Sequence, residues 1–155
     1  MEPKLISVEK MNVVGIEVRT TNQEEMVPAT ARIPGLWGRF YSEKLSETIS
    51  GRKPGGMPIG VYSKYETNHT GPYSLLAGLE VSSLGALSEG LAKVSVSSGK
   101  YLVFTAQGPM PQTLIQIWAA IWNDFSKGSK YKRAYTTDLE MYRGSETVDI
   151  HIAIQ

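Results

Sequence analysis

The order strand, helix, strand, strand runs through this chain twice, and that repetition constrains the fold more than any other feature. The second helix is the clearest element: Leu114, Ile117, Trp118, Ile121, Trp122 and Phe125 recur at the spacing of one apolar helix stripe. Pro111 at the first turn, or a capping box of Thr113 with Gln116, opens it, and Gly128 stops it. Strands over 91–97 and 100–107, joined by a Ser98-Gly99 turn, precede it, and strands over 133–142 and 148–154 follow. In the first copy, residues 11–20 alternate as a half-buried strand. One helix then carries Ile33, Trp37, Phe40, Tyr41, Lys44, Leu45, Thr48 and Ile49 on a stripe, with Pro34 in its first turn. The loop GRKPGGMP ends that helix, and strands over 58–66 and 73–81 read as a hairpin. EVRTTN can be laid over LVFTAQ and LWGRFY over IWAAIW, which places Trp37 on Trp118 and Tyr41 on Trp122. The fold expected is α+β: a tandem pseudo-twofold repeat of strand-helix-strand-strand modules, with an antiparallel sheet and a central ligand groove. Residues 1–155 form one domain, its halves covering about 1–82 and 91–155 around the small, polar linker SSLGALSEG.

Composition narrows the function. The chain of 155 residues is 41% hydrophobic and 20% charged, with a formal net charge of +1. That balance argues against direct nucleic-acid binding, which needs clustered Lys and Arg to neutralise phosphates. There is no cysteine, so disulfides, thiolate nucleophiles and sulfur-based zinc sites are excluded. No signal peptide is read at the N-terminus, and the longest apolar run, 114–122, falls far short of the ~20 residues that cross a bilayer. A cytoplasmic protein without membrane contact is expected.

Familiar catalytic and phosphate-binding motifs are missing, and His69 and His151 lack partners at metal-ligand spacing, so neither metal nor cofactor is expected. Aromatic residues are the informative class: three Trp, eight Tyr and three Phe. Two readings stand for the aromatic stripes, a dry core or the walls of a cavity on the shared axis. The same holds for Glu140. Strand alternation sets Ala134, Thr136, Asp138, Glu140 and Tyr142 on one face and Tyr135, Thr137, Leu139 and Met141 on the other. That Glu140 face points either to solvent or into the groove. In the groove, a carboxylate would protonate or attract a cation, and aromatic faces would add ~0.5–2 kcal/mol per cation–π contact.

The segments IPGLWGRFYSE, GVYSKYE, YSLLAGLEV, GKYLVFTAQGP, IWAAIWNDFSKGSKY and TDLEMY, in this order and across nearly the whole chain, resemble the GyrI-like effector-binding family. The family includes drug-binding domains of AraC-type and MerR-type regulators, free-standing domains, and hydrolases of cyclopropane-containing toxins; this chain resembles a free-standing member. The resemblance implies paired strand-helix-strand-strand modules around a groove. It places Glu140 on the family's glutamate, Tyr142 on its aromatic neighbour, Trp118 and Trp37 on the helix tryptophans, and Tyr73 on the first of two paired aromatics. Leu75, Ala106 and Phe125 depart from the usual aromatic, histidine and tryptophan, and the segment before Glu140 lacks the usual proline. The expected ligand site is Glu140, Trp37, Trp118, Trp122, Tyr73, Tyr142 and Tyr41. The function implied is capture of a lipophilic organic cation or drug, in transcriptional regulation or in multidrug sequestration. A separate DNA-binding regulator or a homodimer is the expected partner. The alternatives are a small-molecule hydrolase, with Glu140 as general base and Tyr142 orienting the substrate, and a protein-binding inhibitor.

Overall fold

A computed structural model describes residues 2–155. Lys4–Val8 form β1 and Met11–Thr20 form β2, whose Val14 and Ile16 are buried on one side. A single turn, α1 (Asn22–Glu25), is capped by the Thr21 hydroxyl, which accepts from the Glu24 amide. It in turn caps its successor, α2 (Ile33–Ser42). The α2 N-cap, Arg32, makes no side-chain capping bond, and the Glu25 carboxylate instead accepts from the amides of Arg32 (2.8 Å) and Ile33 (3.0 Å). The helix expected to run unbroken over 33–49 stops at Glu43. Lys44 takes a left-handed conformation (φ 53°), and a separate turn, α3 (Leu45–Thr48), follows. Within α2 it is Leu36 and Phe40 that are buried, whereas Tyr41, expected on the same stripe, is 59% exposed.

The hairpin is as expected, with β3 (Ile59–Ser63) antiparallel to β4 (Tyr73–Val81). Next come β5 (Ala92–Val96), β6 (Gly99–Gln107), α4 (Gln112–Ser126), β7 (Arg133–Tyr142) and β8 (Thr147–Ile154). Pro111 is the N-cap of α4 and no side chain caps it, so the Thr113–Gln116 capping box is not used. Gly128, at φ 85°, ends the helix as expected.

All eight strands join one antiparallel sheet in the order β1-β6-β8-β7-β3-β4-β2-β5. The modules β2-α2-β3-β4 and β6-α4-β7-β8 repeat about the β3–β7 pair, as the twofold pattern requires. The laid-over strands are nevertheless out of phase by one residue. Val18 packs towards the helices, whereas Val103 alternates with helix-facing Leu102 and Phe104 and so faces away.

The outermost strands are exchanged. β5 and β6 are joined by Ser97 and Ser98, yet they do not pair with each other; β5 lies on β2, and β1 lies on β6. In a flat sheet the two ends of each short connection would be six strand spacings apart, roughly 29 Å. Two linking residues reach only about 11 Å. The sheet must therefore curl until its ends approach. Its inward face closes on itself: Val13, Val94 and Val96 from one end cluster with Tyr101 and Ala153 from the other. The outward face carries α2, packed on β2 and β4, and α4, packed on β6, over a larger core that includes Leu75, Phe104, Ile121 and Ile150.

Candidate functional site

The repeat axis runs between β3 and β7, and there Gly60 pairs with Glu140. Glu140 lies on the helix-facing side and is 1% exposed, so the solvent-facing reading of this residue is wrong. Its Oε2 accepts from the Tyr62 hydroxyl (2.6 Å) and the Trp118 indole N–H (2.8 Å), and its Oε1 accepts from the Tyr142 hydroxyl (2.9 Å). Burial pushes its pKa up, and the three hydrogen bonds pull back against that shift. Burial, reinforced by the same carboxylate, drives the Tyr62 and Tyr142 hydroxyls well above their ordinary range, so both remain protonated donors.

Each module contributes one tryptophan and one tyrosine: Trp37 and Tyr62 from the first, Trp118 and Tyr142 from the second. The pairs are not equivalent in bonding. Trp118 donates to Glu140, while the buried Trp37 indole N–H has no partner. Gly60 leaves the cluster its room. A methyl there would sit 3.2 Å from Glu140 Oε1, 3.3 Å from Trp37 Cζ2 and 3.4 Å from Leu75 Cδ1. The remaining expected site residues extend the cluster outward. Trp122 tilts against Trp118 (6.1 Å between ring centroids), Tyr41 stacks on Trp37 (6.2 Å), and Tyr142 meets Trp37 edge-on (5.5 Å). Tyr73 touches Tyr62 (5.5 Å), but its hydroxyl turns away to Asn22. Six expected aromatics, with Tyr62 joining Tyr73 to the rest, thus form one continuous assembly with the Glu140 carboxylate at its centre.

Sequence reasoning missed Tyr62, the donor at the shortest distance. Its signal was available: it lies two residues from Gly60 on an alternating strand, and so on the same face. Also missed was a second buried carboxylate, Asp138, which is fully buried on the Glu140 face of β7. Asp138 Oδ2 accepts from Arg133 Nη2 (2.7 Å) and the Tyr65 hydroxyl, and Oδ1 accepts from the Ala153 amide (3.0 Å). The pair depends on an irregularity. Between Arg133 and Asp138 the register shifts, and Tyr135 adopts φ 54°. The simple alternation expected for β7 therefore fails at its start: Ala134 packs into the inward core, and Tyr135 joins Tyr65 and His69 on the Asp138 side. Thr137 is buried on the opposite side, where its hydroxyl accepts from the Ser97 amide and bonds Tyr101.

Two surface depressions lie away from this cluster. One, of about 560 Å³, is lined by Glu17, Arg19, Lys64 and Ser74, and another, of about 500 Å³, by the loop around Arg52. Among the described residues there is no cluster of three metal-ligating side chains, and no helix is long and apolar enough to cross a membrane.

Comparison with known proteins places this geometry. The profile of Cass2, integron-associated effector binding protein, matches residues 4–154. A solved integron cassette protein of Vibrio cholerae, VCH_CASS2, is 38% identical, with 99% of this chain and 96% of that chain covered and a TM-score of 0.86. A structure of SAV2435 bound to tetraphenylphosphonium has the same fold, at a TM-score of 0.78 and 20% identity over 100% of this chain and 94% of that one. A Bacillus subtilis (strain 168) protein named "Putative transcriptional regulator protein YobU" is 28% identical, covering 91% of this chain and 90% of its own length. The GyrI-like resemblance and the α+β repeat agree with these relatives. The chain belongs to the Cass2 family of integron-associated effector-binding proteins.

Proposed function

We propose that this protein captures a lipophilic organic cation between its aromatic walls, with Glu140 as the counter-charge, and that it serves transcriptional regulation or drug sequestration in the cytoplasm. One observation carries the reading: Glu140 is buried, and all three of its partners are neutral. Among the described residues none forms an ion pair with it. A buried carboxylate without a positive partner is costly. An arriving cation supplies the missing charge, and the rings around it add cation–π attraction. The bound tetraphenylphosphonium of SAV2435 is a cation of this class on the same fold, and the regulator name of YobU supports a signalling role.

The carboxylate is walled in, so a ligand reaches it by displacing rings. Tyr41, the most exposed aromatic of the assembly, lies over Trp37, and half-buried Trp122 lies over Trp118. Because three tryptophans belong to the assembly, binding reports itself in their fluorescence. Titration with tetraphenylphosphonium is expected to give saturable quenching. Glu140→Gln is expected to weaken binding by about 2–5 kcal/mol, the usual loss when one partner of a buried charge pair is removed. Absence of quenching, or equal affinity in the variant, refutes the proposal.

A further inference from the structure

Strand β7 buries two carboxylates, not one. Asp138 and Glu140 are two residues apart on the same face, so their side chains emerge about 6.6 Å from each other along the strand. Tyr62 links them, lying opposite Asp138 in the ladder while donating to Glu140. Tyr65, the donor to Asp138, continues the same aromatic wall through Tyr73 to Tyr62, with ring centroids 5.9 and 5.5 Å apart.

The two acids differ in what neutralises them. Around Asp138 the chain supplies everything the Glu140 site offers a ligand, and also supplies the cation. The Arg133 side chain is 4% exposed, its Nη2 is 2.7 Å from Asp138 Oδ2, and its guanidinium lies 4.5 Å from the centroid of the Tyr135 ring. Carboxylate, tyrosine hydroxyl and aromatic face surround an internal positive charge. At Glu140 the carboxylate, the tyrosine hydroxyls and the aromatic faces recur, but the positive charge does not.

We propose that Arg133 sets the charge of the effector: by occupying the cation position beside Asp138 it leaves one uncompensated carboxylate, so the site selects monocations over dications. The inference rests on the cation-binding reading above. Arg133 is a specificity-determining residue that need not touch the ligand. A dication placed along β7 would bring its second charge to the guanidinium, where it is repelled rather than paired. The pair also holds the irregular start of β7, so the decisive readout is a ratio of affinities, which a purely structural role would leave unchanged.

The test is competition against tetraphenylphosphonium by two probes that share one phenyl ring, carrying either one trimethylammonium group or two at opposite positions. With the native protein the doubly charged probe is expected to compete no better than the singly charged one. In Arg133→Gln the ratio is expected to shift about tenfold towards the dication, the effect of gaining one modest ion pair. Arg133→Lys should keep the native ratio, and Arg133→Gln combined with Asp138→Asn, which removes both charges, should restore it. A dication competing tenfold better with the native protein overturns the charge selection and leaves cation binding intact. So does a folded Arg133→Gln variant with an unchanged ratio. If Arg133→Gln does not fold, Asp138→Asn alone, which leaves the Arg133 charge unpaired, should shift the ratio further towards the monocation, and an unchanged ratio there overturns the proposal. Failure of tetraphenylphosphonium itself to bind removes the cation reading and this inference together.

Discussion

Glu140 is held by three neutral donors, and its protonation is therefore coupled both to folding and to binding. Its folded-state pKa is raised above the ordinary carboxylate value, chiefly by burial. The protonated acid thus favours the folded state. Its contribution is fully present below the unfolded-state pKa and is lost as pH rises through the folded-state pKa. Urea denaturation across that interval is expected to show native stability declining relative to Glu140→Gln, and parallel profiles would contradict the assignment. Cation binding favours the ionised carboxylate, so affinity should climb with pH over the same interval, with a proton released to buffer on binding. Calorimetric titration in buffers of different ionisation enthalpy detects that proton. Gly60 provides a separate check. Gly60→Ala presses a methyl against Glu140 Oε1 and Trp37 Cζ2, while its reduced unfolded-state freedom stabilises the fold by about 0.4–1 kcal/mol. Stability should move by less than about 1 kcal/mol while cation affinity falls, a separation that denaturation and fluorescence titration measure together. At this scale the sequence disclosed the participants better than their bonds. The composition made aromatics conspicuous and the resemblance matched Glu140 to the family's glutamate, but alternation alone favoured the solvent-facing side for it. Asp138 passed unnoticed because its partner, Arg133, reaches it only across a backbone irregularity that no spacing rule anticipates.

Elements were legible where a single period governs them. The α4 stripe, the alternation of β2 and the hairpin of β3 with β4 all follow from local side-chain spacing. Legibility ended where the backbone leaves its regular path. At Lys44 an ordinary residue takes a left-handed conformation, and the apolar stripe that continues to Ile49 disguises the break. Lys44→Gly should remove that cost and raise stability by about 0.5–1 kcal/mol, read as a higher urea midpoint. Opposite behaviour is expected at Gly15, which faces Gly78 across β2 and β4. A methyl at Gly15 would fall on the Ala77 carbonyl oxygen. Because the obstacle is backbone and not a flexible side chain, Gly15→Ala should cost about 3 kcal/mol by the same measurement. The β7 irregularity belongs with these cases: Tyr135, at φ 54°, turns a strand that would read as a plain alternation.

For the whole molecule, twofold order was readable from the sequence and the exchange of outer strands was not. Neighbouring strands in a chain usually pair, and the Ser98-Gly99 step reads as a tight turn between the strands it joins. Only the curl of the complete sheet lets β1 reach β6 and β5 reach β2. Each half thereby finishes the sheet of the other. Fragments 2–82 and 91–155 are expected to be unstructured alone and to recover native circular dichroism when mixed, while the intact chain unfolds in one transition by both fluorescence and circular dichroism. Independent folding of either fragment would contradict this interdependence. The exchange also has a consequence for synthesis. Lys4 pairs with Val103, so β1 leaves the ribosome roughly a hundred residues before its partner exists. Contacts that distant in sequence make folding slow. Until then the nascent chain carries an unsatisfied strand, and the time it spends in that condition depends on the speed of translation.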